Sequence, residues 1–240
     1  MTEGMIFAAG LGTRLRPLTN NRPKAMVELR GKPLLEHVIL KMRRAGIERI
    51  VVNVHHFADQ IEDFLNNHPE LGKGVLISDE RDCLLDTGGG LLKASELFTP
   101  GADVLIHNVD VFSDIDLKAV MKFHQDGLND ATLVVRLAEP GRGLRFNVAG
   151  LLKGWENSLT GEEKRVDDEF ETAQSYSFCG IHIVSSKLLR QIKHQGVFSI
   201  IDEYLWQARK HCLKCYCYDG FFMDLGTPET LIEAEKSHFL

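Results

Sequence analysis

Five short apolar runs punctuate the first 137 residues, and their spacing limits what this chain can fold into. They are MIFAA at 5–9, RIVVNV at 49–54, GVLIS at 74–78, ADVLIHN at 102–108 and ATLVVRL at 131–137. Most are rich in β-branched residues with little polar alternation, the pattern of strands buried on both faces. The stretches between them have a different period. Leu34, Leu35, Val38, Ile39 and Met42 recur at helical spacing, with Pro33 before them and Gly46 after as start and stop signals. Phe57, Ile61, Phe64 and Leu65 predict a second amphipathic helix, Gly90–Leu97 a third and Asp116–Asp126 a fourth. Strand and helix in strict alternation predict an α/β protein: a Rossmann-like, mostly parallel mixed sheet with helices on both faces.

The rhythm changes after residue 137. VAGLLKGW and YSFCGIHIV read as strands separated by a polar stretch, Glu156–Ser175. Helices are predicted around Ser186–His194 and Ser199–Lys210, then a strand over Lys214–Tyr218. A last helix starts at Thr227-Pro228-Glu229, with Thr as cap and Pro in the first turn. There is no tandem repeat, low-complexity tract or linker, so residues 1–240 read as one domain carrying an insertion over roughly 137–185.

A net charge of −6 argues against a broad footprint for nucleic acid or an anionic membrane. No apolar run reaches the length of a spanning helix, and MTEGMIFAAG lacks the basic flank and apolar core of a signal peptide. A cytoplasmic location follows as the expectation. Cys212, Cys215 and Cys217 beside His211 suggest zinc, but zinc sites draw on two separated ligand pairs and this is one cluster. Cys215 and Cys217 share a strand face and read as small buried side chains.

The densest run of cations in this acidic chain lies in FAAGLGTRLRPLTNNRPKAM, residues 7–26, which holds Arg14, Arg16, Arg22 and Lys24 among glycines and prolines. It directly follows the first strand, and ligands of open parallel sheets bind outside the carboxyl ends of the strands. The dinucleotide fingerprint fails here, because Leu15 stands where the third glycine belongs and Pro17 breaks any prompt helix. The Walker pattern is absent as well. What remains is a loop whose backbone approaches phosphates closely while Arg14 and Lys24 grip their oxygens.

Two carboxylates belong to the same edge. Asp110 follows a buried strand in HNVDVF, and Asp224 follows an apolar run in GFFMDLGTPE. Either alone could be a turn or cap residue. With the cationic loop they compose a Mg²⁺–nucleotide site, since Mg²⁺ takes one or two carboxylates plus phosphate oxygens. A glycine triplet in LLDTGGGLLKA, Gly88–Gly90, clears room for a flat ring against the backbone at the entry to a helix.

These residues together resemble the sugar-1-phosphate nucleotidyltransferases. AAGLGTRLRPLT followed by PKAM carries the resemblance, and TGGG, NVDVF, FCGIHI and MDLGTPE keep the family's order. The resemblance implies Ala8, Ala9 and Gly10 near the nucleoside, with Thr87, Gly88 and Gly89 at the base. It implies Gly12, Thr13 and Arg14 on the triphosphate, Lys24 at the phosphates in exchange, and Asp110 and Asp224 on Mg²⁺. Asn147, Glu156 and Gly180 fall near the sugar.

Three departures stand out. Val109 replaces a glycine before the metal Asp. Asn157 stands where larger members keep a lysine for the sugar phosphate, leaving Arg142 or Arg145 as substitutes. The chain is also expected to lack the C-terminal β-helix domain of bifunctional members.

The chemistry expected is in-line attack by a sugar 1-phosphate on the α-phosphorus of a nucleoside triphosphate. The protein's task is then alignment and charge neutralisation. The resemblance points to UTP with N-acetylmuramate 1-phosphate or a related hexose 1-phosphate, or to GTP with mannose or heptose 1-phosphate, in a monomer or homodimer. The competing classes are a non-catalytic nucleotide-sugar sensor, which would be expected to lose a metal Asp or a loop cation, and a choline-phosphate cytidylyltransferase, which needs an aromatic cage.

Overall fold

The computed structural model describes residues 1–237. Its nucleus is four parallel strands in the order β3–β2–β1–β4: β1 is Thr2–Phe7, β2 Ile50–Val54, β3 Val75–Asp79 and β4 Asp103–Asn108. The crossovers are α1 (Leu34–Arg44), α2 (Ala58–Asn67) and α3 (Asp86–Ala94). Pleating sorts the side chains to two cores. Ile6, Val52 and Leu105 face α1 and α2 on one side, while Met5, Val51 and Ile106 face α3 on the other. Burying the predicted stripe of α1 contributes about 1.5–3 kcal/mol for each large apolar side chain; Leu35, Ile39 and Met42 are fully buried.

After β4 come β5 (Val111–Ser113), α4 (Leu117–Asp126) and β6 (Ala131–Leu137). An antiparallel wing follows: β7 (Arg142–Phe146), β8 (Leu152–Asn157) and β9 (Glu162–Arg165). The eleven-residue β10 (Gln174–Val184) joins wing to nucleus. Its first residues pair with β7, its last with β4, and β6 runs along its other edge across a bulge between Phe178 and His182. Then come α5 (Ile200–Gln207), β11 (Leu213–Cys217), β12 (Phe222–Asp224) and α6 (Pro228–Lys236). β11 lies parallel to β6, and β12 pairs antiparallel with β5 as a separate two-stranded ribbon. Thr227 caps α6, as the sequence predicts, and the structure adds a reciprocal box with Thr230.

Several expectations need correction. The third helix starts at Asp86, not Gly90, so the glycine triplet lies inside it. Glycine disfavours helix interiors by about 1 kcal/mol, but here the chain at 196–198 crosses the helix too closely for a side chain. A Cβ on Gly88 would meet the Phe198 ring at 2.3 Å, and one on Gly89 the Gly196 carbonyl at 2.2 Å. The helix predicted over Ser186–His194 stops at Leu189. The polar stretch 156–175 holds β9 and a 3₁₀ turn, Asp168–Thr172, whose Phe170 is buried under the wing. Cys217 is exposed and Cys215 only half-buried, because β11 is an edge strand.

Candidate active site

The ends of β1, β2, β3 and β4 open into one cavity of about 460 Å³, within the range of small-molecule sites. Ala9, Gly10, Lys24, Thr87, Asn108 and Asp110 line it, with Asn53 and Glu80 in its wall and Val197 at its rim. A larger groove of about 910 Å³ lies between α1 and the β5–α4 connection. It sits off the strand ends and contains neither Asp110 nor any residue of 7–26, so the smaller cavity is the candidate site.

The loop after β1 holds its shape through Gly12. Its φ is +60°, and a Cβ there would meet the Thr19 methyl at 2.9 Å. The buried Thr19 donates its hydroxyl to the Gly12 carbonyl at 2.8 Å. Leu15 is fully buried and plugs the loop into the core, while Arg14 stays exposed. Thr13 opens the short 3₁₀ turn Thr13–Leu15. Lys24 starts a second such turn, Lys24–Met26, which aims its ammonium at Asp110.

β5 and β12 bring the two predicted metal carboxylates together. Asp224 pairs in register with Val111, and the Leu225 amide donates to the Asp110 carbonyl at 2.8 Å. Lys24 bonds to the Asp110 carboxylate, with both side chains largely buried. Arg14 lies 3.9 Å from the Asp224 carboxylate in a more open pair, one that contributes little to stability. Partial burial and then the Asp110 charge push the Asp224 carboxyl above the usual carboxylate range. Two mutually repelling carboxylates, each with a cation drawn onto it, fit a divalent metal shared with phosphate oxygens. Among the described residues no cluster of three or more His, Cys, Asp or Glu is placed to hold a metal ion. Val109, beside Asp110, buries its side chain in the core.

Ala8 is buried, and its amide donates to Asn53 Oδ1 at 2.7 Å. Thr87 accepts a hydrogen bond from the Ile200 amide at 3.0 Å, and the Gly88 amide donates to the Phe198 carbonyl at 2.9 Å. Gly88 and Gly89 are therefore buried against the 196–200 segment. Gly180, at φ +68°, makes room for Asn108: a Cβ would come 2.5 Å from its amide nitrogen.

The wing residues are occupied with one another. Arg145 donates to Glu156 at 2.8 Å and to the Ala173 carbonyl at 2.9 Å, and its guanidinium lies over Phe170. Asn147 bonds Glu169 at 2.7 Å and accepts from the Leu151 amide. Arg142 is exposed. Asn53, Glu80 and Val197 were not foreseen. Asn53 and Glu80 end apolar strands on the same edge as Asp110, so the rule that found Asp110 could have found them.

The profile of the nucleotidyl transferase family matches residues 3–238. An N-acetylmuramate alpha-1-phosphate uridylyltransferase of Caulobacter vibrioides is 33% identical over 237 residues, covering 96% of this chain and 94% of that protein. A mannose-1-phosphate guanyltransferase of Gibberella zeae is 28% identical over 233 residues, but the chain spans only 62% of its length. Among solved structures, a putative glucose-1-phosphate thymidylyltransferase from Bacillus anthracis superposes with a TM-score of 0.82 at 19% identity. That match covers 98% of this chain and 94% of the other, and at such identity it bears on the fold.

Proposed function

We propose a substrate pair and residue roles for this chain, which belongs to the nucleotidyl transferase family. The reaction class is transfer of a nucleotidyl group from a nucleoside triphosphate to a sugar 1-phosphate, giving an NDP-sugar and pyrophosphate. The first pair is UTP with N-acetylmuramate 1-phosphate, after the uridylyltransferase relative; the second is GTP with mannose or heptose 1-phosphate. The observation that carries the reading is the double pairing Lys24–Asp110 and Arg14–Asp224, the first pair lining the strand-end cavity.

A sugar-phosphate oxygen attacks the α-phosphorus while the bond to the β-phosphate oxygen breaks and pyrophosphate leaves. Both reactants are anions, so alignment and charge neutralisation carry the catalysis. Lys24 neutralises charge developing at the α-phosphate, and Arg14 holds the departing pyrophosphate with the Gly12–Thr13 backbone. Relatives generally use a divalent metal; here Asp110 and Asp224 would hold Mg²⁺, which supplies electrostatic stabilisation of the phosphates. Ala8, Ala9 and Gly10 floor the nucleoside pocket. Thr87, Gly88 and Gly89 shape its base side by keeping α3 against the 196–200 segment. The sugar falls to the 137–185 region, with Asn147, Glu156 and Gly180 around it, Arg145 holding Glu156, and the exposed Arg142 as a cation for its phosphate. Among the described residues no helix is long and apolar enough to cross a membrane, and we place the enzyme in the cytoplasm.

The test is pyrophosphate release from UTP, GTP, CTP and dTTP with Mg²⁺, crossed with N-acetylmuramate, mannose, heptose and glucose 1-phosphates. Release with UTP and N-acetylmuramate 1-phosphate is expected. Release with another pair alone would overturn the substrate assignment. Silence across the panel, with nucleotide sugars still binding, would favour a sensor.

A further inference from the structure

Glu80 is fully buried, and among the described residues it makes no ion pair. A carboxylate taken out of water without a counter-ion is costly unless its oxygens are hydrogen-bonded. Both are. Oε1 accepts from Asn53 Nδ2 at 2.7 Å, and Oε2 accepts from the Leu85 amide at 3.1 Å, at the entry to α3. Asn53 is 3% exposed, and its Oδ1 accepts from the Ala8 amide. An amide N–H can only donate, which fixes the orientation of the Asn53 side chain and directs its NH₂ at Glu80.

This relay, Ala8 to Asn53 to Glu80 to Leu85, ties together the root of the phosphate loop, the ends of β2 and β3 and the start of α3. These segments bound the 460 Å³ cavity. The third glycine of the triplet also finds its reason here. A Cβ on Gly90 would come 2.8 Å from Glu80 Oε1 and 3.0 Å from Asn53 Nδ2.

We infer that Asn53 and Glu80 are a positioning pair that sets the width of the nucleoside pocket, holding the phosphate loop at a fixed distance from α3. The inference rests on the nucleotide reading of the cavity. Neither residue moves a proton or touches the reacting phosphorus. Their effect is on nucleotide affinity, through two loops that must be in place before the nucleotide arrives.

The relay can be rewritten without being removed. Glu80→Gln alone sets one amide NH₂ against another donor, and Asn53→Asp alone sets one carboxylate against another. The double substitution Asn53→Asp/Glu80→Gln exchanges donor and acceptor. Asp at 53 accepts from Ala8 and from the Gln amide, and Gln at 80 accepts from Leu85.

Calorimetric titration with UTP and with GTP, in Mg²⁺ and without sugar phosphate, is the measurement. Each single variant is expected to bind about 10-fold or more weakly, the exchange variant within about threefold of wild type, and the KM for sugar 1-phosphate at saturating nucleotide to stay within about twofold. Single variants that melt earlier yet bind normally would reduce the pair to a structural role and overturn the inference, as would an exchange variant no better than the singles. If the singles do not fold, Gly90→Ala decides, because it displaces the pair while leaving both side chains present. A folded Gly90→Ala protein with wild-type affinity overturns the proposal. Wild-type protein binding neither nucleotide would instead sink the reading of the site itself.

Discussion

The parallel half of the sheet and the antiparallel wing handle polar side chains in opposite ways. In the parallel half, β1 to β4 all end on one edge, so the residues that follow them gather there: Gly10, Asn53, Glu80 and Asp110. In the wing, successive strands end on opposite edges, and several charged residues find partners within the wing. Lys153 bonds Asp167 at 2.8 Å and Glu169 at 2.7 Å, Arg145 bonds Glu156, and Arg165 bonds Glu163 and Glu171. A parallel sheet builds a site by default of its topology, whereas an antiparallel wing tends to satisfy itself.

That contrast can be broken most sharply at Asp110. Asp110→Asn should lower turnover about 10²-fold or more, the scale of losing one preorganised electrostatic contact. Arg142→Ala in the wing should raise the KM for sugar 1-phosphate and leave the KM for nucleotide alone. A fully active Asp110→Asn enzyme would remove the metal assignment.

Acid should separate the two halves next. His107 and His182 are buried in the seam between β4 and β10. Burial, with a smaller push from Lys41, lowers the His107 imidazole to about 3. Burial and then His107 lower His182 to about 3 as well. Both stay neutral in the folded chain while the unfolded chain takes up protons below about pH 6.5. The stability they leave intact above that pH is lost progressively as pH falls from about 6.5 toward 3. At about 1.4 kcal/mol per pH unit for each histidine, urea unfolding at pH 5.5 should show about 3 kcal/mol less stability than at pH 7.5. A His182→Phe protein should show about half that loss. A flat profile would mean that these rings are hydrated in solution.

The smallest effect is expected in the wing. Lys153→Met removes two bonds to carboxylates that remain partly solvated, so it should cost about 1 kcal/mol in urea and leave UTP affinity unchanged. A large loss of UTP affinity would show the wing coupled to the nucleotide pocket.

Much of the site was legible because its signals are local. Glycines with cations after a strand, and a carboxylate after an apolar run, need only the rule that parallel strands share an edge. The pairing of Asp110 with Asp224 is not local. It depends on β12 returning to β5 across more than 100 residues, and apolar runs do not name their partners. The helix at Gly90 was misplaced for a similar reason. Glycine reads as a helix breaker until Phe198 is seen lying where a side chain would go. Asn53 and Glu80 look like ordinary strand-end residues until burial shows that each oxygen has one donor.

Sequence alone determined the α/β alternation, the edge on which the candidate site gathers and the chemical type of the groups that line it, because hydrophobic period and strand direction are properties of short segments. Only the tertiary structure decided which cation meets which carboxylate, which wing cations are already spent on internal partners, and why the triplet must be glycine. Those outcomes depend on distances between segments far apart in the chain, set by how the two cores pack.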